Sequence, residues 1–367
     1  MSESPSPEAY DFAVIGAGMA GASLAASLAG AGARVLLIEA EAAPGYHATG
    51  RSAAFWTESY GGPGVQPLTT ASGPVLLDGG YLTPRGALTI ARAGQEQALG
   101  QFAERYAALG IRMERLGRDA IAGRVPDLKP GWTMGAFEPD CCDIDVARLH
   151  QDYLSRARRA GAVLWTSARL TAAESEAGGW LLTVADGRQA HADVLVNAAG
   201  AWADQVAALA GVSGVGLQPY RRTVAQLRTD PAPRDELPLV LDLAERFYFK
   251  PQSGRLWLSP HDETPSPPCD AAPEELDVAA AISRLEEVVN WRVERIEHRW
   301  AGLRSFAPDR LPVYGFAPGN PRFFWFAGQG GFGIQTAPAA AALAASLLGS
   351  AQESPVDPGR YSPARFA

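Results

Sequence analysis

The chain has 367 residues, of which 47% are hydrophobic and 20% are charged, and its formal net charge is −8. This length suits two domains or one large domain with an insertion, and the composition excludes a disordered or collagen-like chain. The acidic balance argues against nucleic acid or an anionic membrane surface as the main partner, because both select basic surfaces. A small ligand, or an anion held locally, remains compatible with it.

Cysteine spacing and the start of the chain predict a cytoplasmic protein. Cys141 and Cys142 are adjacent and Cys269 is distant, which fits neither a disulfide framework nor a paired metal site, so no metal is expected. Residues 1–9 are polar and acidic and lack the basic start of a signal peptide. The longest apolar helical stretch, 337–348, is shorter than the ~20 residues needed to cross a bilayer.

The first elements predict a βαβ unit. Residues 11–15 are predicted to form a buried strand, residues 22–29 a helix ended by glycine, and residues 33–38 a second buried strand. Parallel strands joined by a helix in this way are typical of α/β domains.

A glycine motif, Gly16-Ala17-Gly18-Met19-Ala20-Gly21, joins the first strand to the helix. Gly16 permits a tight turn, Gly18 lets the backbone approach a pyrophosphate, and Gly21 lets the helix pack closely on the strand. Glu39 ends the second strand, where a carboxylate can accept hydrogen bonds from ribose hydroxyls. The combination predicts dinucleotide binding; the alternative is an ordinary tight turn.

The next segment, residues 45–54, is a long loop of small residues. NAD enzymes usually return to a helix at this point, whereas such a loop can wrap a bulkier cofactor and reach its ring system. The segment favours FAD over NAD, with a surface loop rich in small residues as the alternative.

The rest of the chain alternates between two patterns. The predicted helices are 95–109, a helix capped by Asp143 or Asp145 that runs to residue 160, 274–290 and 334–348. The predicted strands are 163–166, 180–185 and 192–197 around an Asp186-Gly187 turn, 247–251, 255–259 and 323–327. The order predicts one α/β domain interrupted twice by an antiparallel domain.

Several of these motifs resemble the FAD-dependent family of D-amino acid oxidase, glycine oxidase and sarcosine oxidase, with the D-arginine dehydrogenase type nearest. The motifs that carry the resemblance are residues 44–54, Val196-Asn197-Ala198-Ala199-Gly200-Ala201-Trp202, Leu217-Gln218-Pro219, residues 300–306 and residues 328–336. The resemblance implies an α/β fold. A Rossmann-like FAD-binding domain of the glutathione-reductase type would comprise 1–78, 141–212 and 308–367. An inserted substrate domain of antiparallel sheet plus helix would comprise 79–140 and 213–307.

The resemblance also implies an FAD cofactor, which should be non-covalent because no Cys follows Cys269. The N–H groups at the start of the last helix would face the flavin edge where negative charge develops. The implied cofactor-binding residues are Gly16, Gly18, Ala20, Gly21, Glu39, Ala40, His47, Thr49, Gly50, Arg51, Ser52, Ala53, Ala54, Leu170, Ala199, Gly200, Trp202, Gly302, Gly328, Gly330, Gly331, Phe332, Gly333, Ile334 and Gln335.

For the substrate, the resemblance implies that Arg222 and Arg304 hold a carboxylate with help from the Tyr248 hydroxyl. All but two of the 32 Lys and Arg residues are Arg, so only motif position separates these two from a composition bias. Arg221 remains an alternative to Arg222, because a slip of one residue exchanges the faces of a strand.

Further candidates carry open alternatives. His47 would support catalysis or simply brace its loop. Gln335 and the carbonyl of Gly331 would receive the amine. Trp56 and Phe55 would form an aromatic wall or pack in the core, and His150 is expected to be structural.

One departure from the D-arginine type bears on the substrate. That type has an acidic residue after its Ser-Pro-Arg turn, whereas here Thr83-Pro84-Arg85 is followed by Gly86-Ala87-Leu88. With Ala87 at this position, the substrate side chain is expected to be neutral and apolar.

The implied reaction is hydride transfer from Cα of a D-amino acid to flavin N5, giving an imine that hydrolyses to a 2-oxo acid and ammonia. The electron acceptor would be oxygen or a quinone. The alternatives are a secondary-amine or imino-acid oxidase of the sarcosine or glycine oxidase kind, and a non-catalytic flavin-binding subunit of an electron-transfer complex.

Overall fold

The computed structural model describes residues 8–351 and 353–367, so most of the acidic start of the chain lies outside the described residues. The helices are α1 (Met19–Gly30), α2 (Gln66–Asp78), α3 (Glu96–Ala107), α4 (Arg118–Arg124), α5 (Val146–Arg159), α6 (Ala203–Leu209), α7 (Glu275–Glu286) and α8 (Ala337–Leu347). The strands are β1 (Glu8–Ile15), β2 (Val35–Ile38), β3 (Phe55–Trp56), β4 (Leu82–Pro84), β5 (Ala87–Arg92), β6 (Glu114–Gly117), β7 (Trp132–Glu138), β8 (Cys142–Ile144), β9 (Val163–Trp165), β10 (Leu170–Glu176), β11 (Gly179–Val184), β12 (Gln189–Asn197), β13 (Gln218–Asp230), β14 (Leu239–Asp242), β15 (Tyr248–Gln252), β16 (Arg255–Ser259), β17 (Thr264–Pro265), β18 (Arg292–Phe306), β19 (Val313–Ala317) and β20 (Asn320–Ala327).

The first sheet has a parallel centre in the order β9-β2-β1-β12-β20, and the antiparallel strands β10, β11 and β19 extend it. Leu24 of α1, Leu149 of α5 and Leu343 of α8 pack on one face. Trp180 and Ala207, from β11 and α6, pack in the core on the other face. Coverage of both faces explains why β2 is apolar at every position. The predicted Rossmann-like α/β fold is confirmed.

The glycine turn before α1 has the tight packing that the motif predicts. A Cβ on Gly21 would lie 1.8 Å from the carbonyl oxygen of Gly16. Gly16 itself has a φ of +100°, and a Cβ there would lie 2.6 Å from the carbonyl oxygen of Ala198. Larger side chains at these two positions would separate α1 from β1 and β12.

The second sheet has nine strands in the order β17-β13-β16-β15-β14-β5-β7-β6, with β18 alongside β13. It is antiparallel, as predicted, except that β5 and β14 are parallel. Ile121 of α4 and Val278 and Leu285 of α7 pack on one face of this sheet. The opposite face carries the side chains that enter the cavity described below. The division into two domains by residue number stays a prediction.

The structure differs from the local predictions at two places. The segment 66–78, which lies outside every predicted element, forms α2, with Pro74 inside it. The last helix begins at Ala337 rather than at residue 334, because a turn comes first in which Thr336 N–H donates to the carbonyl of Phe332. The predicted hairpin of β11 and β12 is confirmed. Among the described residues, no helix is long and apolar enough to span a membrane.

Candidate active site

A cavity of about 380 Å³ lies where the two sheets meet. Ile15 of β1 and Ile38 of β2 line it from the first sheet, and Arg222, Tyr248 and Leu303 line it from the second. It therefore extends from the glycine turn to the face of the second sheet, a shape that suits an elongated ligand with a reacting end.

The end of the cavity at α1 has the features of a dinucleotide cradle. Gly18 precedes α1 in extended conformation, and a Cβ there would meet only Thr49 Oγ1, at 3.3 Å. The Glu39 carboxylate is held by the N–H groups of Ala17 and Glu41, both at 2.9 Å. A helix N-terminus beside an open glycine and a fixed carboxylate can hold a pyrophosphate and a ribose, so these residues fit FAD.

Most predicted cofactor-binding residues line this cavity. They are Gly16, Gly18, Ala20, Glu39, Ala40, His47, Thr49, Arg51, Ser52, Ala53, Ala54, Leu170, Ala199, Gly200, Trp202, Gly302, Gly330, Gly331, Gly333, Ile334 and Gln335. Gly21, Gly50, Gly328 and Phe332 do not line it. Gly21 packs against the Gly16 turn, and Phe332 belongs to an apolar cluster with Val65. Their contacts shape the loops around the cavity.

The loop 45–54 is fixed by a distant segment that sequence reasoning missed. Arg51 donates from Nη1 to the carbonyls of Ala271, at 2.9 Å, and Ala301, at 3.1 Å, and from Nη2 to Asp270. The Tyr46 hydroxyl also bonds Asp270, at 3.1 Å. This segment precedes α7 and has no motif of its own, so only the tertiary structure reveals the contact.

Two histidines flank the cofactor end. His150 Nε2 lies 2.9 Å from the carbonyl oxygen of Ala17, and burial lowers the pKa of its ring, consistent with the structural role expected for it. His47 lines the cavity beside Glu41, with Nε2 3.1 Å from Oε1, and its ring packs on Trp202. These contacts put His47 at the cofactor end of the cavity rather than at the end with the two arginines. The catalytic support predicted for His47 stays a prediction.

The two candidate carboxylate ligands lie on neighbouring antiparallel strands. In the register of β13 and β18, Arg222 is opposite Gly302, two residues from Arg304, so both arginines are on the same face. Both line the cavity, and only 7% and 11% of their side chains are exposed. Two converging guanidinium groups in a largely dry site are well suited to one carboxylate.

Strand alternation distinguishes Arg222 from its neighbour. Arg221 lies on the opposite face of β13, where it bonds Glu274 and Asp277, the latter at 2.9 Å. Since Arg221 does not line the cavity, the structure brings Arg222, and not Arg221, to the candidate site.

Tyr60 and Tyr248 complete the polar end. Arg304 Nη2 donates to the Tyr60 hydroxyl, a contact that sequence reasoning missed because residue 60 lies in an irregular segment without a motif. Burial raises the pKa of Tyr248, which keeps its hydroxyl protonated as a hydrogen-bond donor. Burial lowers the pKa of Arg304, while nearby Tyr60 opposes that shift; an arginine remains charged nonetheless.

Glycine is required where Arg304 crosses the C-terminal loop. A Cβ on Gly331 would lie 1.8 Å from Arg304 Nη2.

Gln335 is 2% exposed, and its side chain bonds Thr69 Oγ1 at 2.9 Å and the Tyr60 carbonyl at 3.3 Å. Gln335 therefore lines the cavity while it holds the segment that carries Tyr60.

The structure brings one of the two candidate aromatic residues to the cavity. Phe55 lines the cavity and lies edge-on to Tyr248, with ring centroids 5.9 Å apart. Trp56 points the other way along β3, packs over Gly73 and donates to the Thr69 carbonyl, so it belongs to the contact with α2. Ala87 does not line the cavity directly, but it packs in the same apolar cluster as Phe55 and Tyr248.

A buried carboxylate outside the predicted set anchors the Tyr60 segment. Glu138, which is 1% exposed at the end of β7, accepts hydrogen bonds from Thr57 Oγ1 at 2.6 Å, Ser59 Oγ at 2.5 Å and Glu58 N at 2.7 Å. Burial raises the pKa of Glu138, and these three donors oppose the shift. The segment 57–60 is thus held between Glu138 and Gln335.

Removing this anchor should loosen the segment. We expect Glu138→Ala to lower the free energy of unfolding by about 1–3 kcal/mol, because one buried donor, Thr57 Oγ1, and two half-buried donors, Ser59 Oγ and Glu58 N, lose their acceptor. Urea denaturation of the holoprotein measures the change. Glu174→Ala, on the exposed edge of β10, is the control and should leave the midpoint unchanged. An equal midpoint for both variants would contradict the anchoring role.

No group of His, Cys, Asp or Glu in the described residues is arranged to hold a metal ion.

The family model described as "FAD dependent oxidoreductase" (DAO) matches residues 11–347. The glycine oxidase of Pseudomonas aeruginosa is 27% identical over 96% of this chain and 98% of its own length.

Solved structures share the fold. The glycine oxidase of Geobacillus kaustophilus superimposes with a TM-score of 0.87 at 23% identity, over 98% of this chain and 100% of that one. The L-proline dehydrogenase of P. horikoshii superimposes with a TM-score of 0.86 at 20% identity, over 98% of each chain. The chain belongs to the DAO family, and it is an FAD-dependent amino acid or amine oxidoreductase.

Proposed function

We propose that the protein oxidises the amine of a D-amino acid with a neutral, apolar side chain, using non-covalently bound FAD. The observation that carries this proposal is the convergence of Arg222 and Arg304 on the end of the cavity away from the dinucleotide cradle. FAD, when bound, supplies the acceptor for the hydride that leaves the substrate Cα.

The protein contributes orientation. Arg222 is fixed by donating Nε–H to the carbonyl of Asp262 at 2.8 Å, and Arg304 is fixed by Tyr60. A carboxylate bound to both guanidinium groups, and to the Tyr248 hydroxyl, would have little rotational freedom. This restriction holds Cα at one place and removes much of the entropic cost of the reaction.

Exclusion of water also follows from the residues around the polar end. Phe55, Tyr60 and Phe332 form successive edge-to-face contacts beside the arginines. In such surroundings, the charge interaction between guanidinium and carboxylate is stronger than in water.

The neutral side chain is supported by the apolar cluster of Ala53, Phe55, Ala87, Leu239 and Tyr248. A nearby carboxylate, Glu138, is the cross-strand partner of Ala87, but its oxygens are taken by Thr57, Ser59 and Glu58 N and it does not line the cavity. Ala53, Phe55 and Tyr248 of this cluster line the cavity, and position 87, where the resemblance implies an acid in the D-arginine type, is an alanine packed behind them. The D configuration is supported only by the motif resemblance.

A secondary-amine or imino-acid substrate is the second candidate. It is favoured by the names of two similar proteins, a glycine oxidase and an L-proline dehydrogenase. The same arginine pair would hold the carboxylate, and the apolar cluster would contact the substituent on nitrogen.

An anaerobic panel of amino acids separates the two candidates. We expect D-leucine and D-phenylalanine to bleach the bound flavin at least about tenfold faster than D-arginine, because an unpaired guanidinium in an apolar pocket costs more than ~1.4 kcal/mol. Stopped-flow absorbance of the flavin measures the rates. L-Leucine is the stereochemical control.

Faster bleaching by D-arginine would overturn the neutral-side-chain proposal. Faster bleaching by sarcosine, N-methylalanine or L-proline than by every D-amino acid would establish the second candidate instead.

A further inference from the structure

We propose that Glu263 restricts the substrate to amino acids with a single carboxylate, by setting the charge of the arginine site. This inference rests on the proposed function, in which Arg222 and Arg304 bind the substrate carboxylate. Glu263 would act as a specificity-determining residue that makes the site unfavourable for dicarboxylates.

Glu263 contacts three arginines. Its Oε1 is 3.1 Å from Arg304 Nη1, 3.5 Å from Arg222 Nη2 and 2.8 Å from Arg310 Nη2. Its Oε2 is 2.9 Å from Arg310 Nη2. The residue follows β16 in the turn to β17, close to the strands that carry the pair.

Glu263 lies behind the arginines as seen from the cavity. Arg222 and Arg304 line the cavity, whereas Glu263 does not. Within residues 8–351 and 353–367, Arg222 Nη1 and Arg304 Nε have no hydrogen-bond partner, so each guanidinium keeps a donor for a ligand while it contacts Glu263. Glu263 and a bound carboxylate can thus be present together.

The charges of the cluster favour one anion. The positive groups are Arg222, Arg304 and Arg310, and the negative groups are Glu263 and Asp262, whose carboxylate lies 3.8 Å from Arg222 Nε. Burial raises the pKa of Asp262, but hydrogen bonds from Thr223 N at 2.8 Å and Thr223 Oγ1 at 2.9 Å favour its charged form. One net positive charge remains among these five groups, which one carboxylate neutralises. Arg221, 3.9 Å from Asp262, is paired with Glu274 and Asp277 on the opposite face of β13.

A second carboxylate would find no compensating charge. It would add a negative charge to a site that is already neutral, in apolar surroundings and with the Glu263 carboxylate behind the arginines. Discrimination of this kind depends on repulsion of the wrong substrate as much as on attraction of the right one.

The test compares D-glutamine with D-glutamate, which have the same shape and differ by one charge. The preference is the ratio of the rate constants for anaerobic flavin reduction by D-glutamine and by D-glutamate. We expect Glu263→Gln to lower this ratio by about tenfold, since the site gains one net positive charge. Glu297→Gln is the matched control. Glu297 also bridges two arginines, Arg228 and Arg255, but away from the cavity, and its removal should leave the preference unchanged.

A second variant should change the preference in the opposite direction, and it keeps the test decisive if Glu263→Gln folds poorly. Arg310→Gln removes one positive charge from a half-exposed side chain and should raise the preference for D-glutamine by about two- to threefold. If both variants change the rates for D-glutamine and D-glutamate by equal factors, Glu263 is only a structural or competing group and the inference is overturned.

Carboxylate binding separates this inference from the proposed function. Titration of the oxidised holoprotein with propionate and with malonate, followed by the flavin absorbance change, needs no turnover. If no amino acid reduces the flavin but Glu263→Gln still improves malonate binding relative to propionate, the proposed function fails and the charge inference stands. If amino acids reduce the flavin, and the ratio of the malonate and propionate dissociation constants is the same in the parent and in Glu263→Gln, only the charge inference fails.

Discussion

Replacing Arg222 with Met should lower the second-order rate constant of anaerobic flavin reduction by roughly 10²–10³-fold, while FAD remains bound. The variant removes a buried guanidinium at the cavity wall whose Nη1 has two N–H groups without a partner among the described residues, but it keeps most of the apolar volume of the side chain. Loss of two charge-assisted hydrogen bonds, each of roughly 1.5–3 kcal/mol, accounts for an effect of this size. Arg304→Met should have an effect of the same order.

Arg221→Met is the matched control because it makes the same replacement one residue away on β13. Its side chain faces Glu274 and Asp277 rather than the cavity. We expect the reduction rate to stay within about threefold of the parent, because Arg221 does not line the cavity, although only 13% of its side chain is exposed. A larger loss in Arg221→Met than in Arg222→Met would reject the assignment of the carboxylate ligand.

Gly18→Ala should weaken FAD binding by at least roughly 100-fold, because the added methyl group would occupy the position where the backbone approaches the pyrophosphate. The protein should still fold, since the new Cβ would meet only Thr49 Oγ1 at 3.3 Å and the extended backbone at position 18 suits alanine. Flavin absorbance after purification and titration of the apoprotein with FAD measure the change.

Two glycines of α1 provide controls for this prediction. Gly30, at the end of the helix, has no atom of the described residues within 4 Å of an added Cβ, so Gly30→Ala should bind FAD like the parent. Gly21→Ala should fail to fold, because its Cβ would meet the Gly16 carbonyl. Full flavin content in Gly18→Ala would rule out the proposed pyrophosphate position.

Local patterns predicted the elements that each depend on one short stretch of sequence. The βαβ opening needs only the apolar strands and the glycine turn, and the hairpin of β11 and β12 needs only its Asp186-Gly187 turn. Asp145 was one of two predicted caps of α5, and it does accept the Arg148 N–H.

Contacts between distant segments were beyond such patterns. Helix α2 contains Pro74, which disfavours a helix, but its buried face packs against α8 and Trp56. The Arg51 contact with Asp270 and the Glu138 contact with segment 57–60 join residues that are far apart in the chain. No local signal marks either partner.

Among the site residues too, local patterns account for some features and contacts between distant segments for the others. Strand alternation alone requires Arg221 and Arg222 to face opposite sides, but it cannot say which side the cavity is on. The pairing of β13 with β18 and the packing of α7 decide which side faces the cavity. Glu263 became recognisable only when three arginines from separate segments were brought around it.

The residues that line the cavity are spread widely along the sequence, and this determines when the cavity can form during synthesis. Lining residues begin at Ile15 and end at Gln335, and β20, which pairs with β12, comes last in chain order among the described strands. A ribosome-bound nascent chain therefore cannot form the complete cavity until residue 335 has emerged. A fragment that stops before residue 328 would lack both α8, which packs on the central sheet, and the glycine loop that Arg304 crosses.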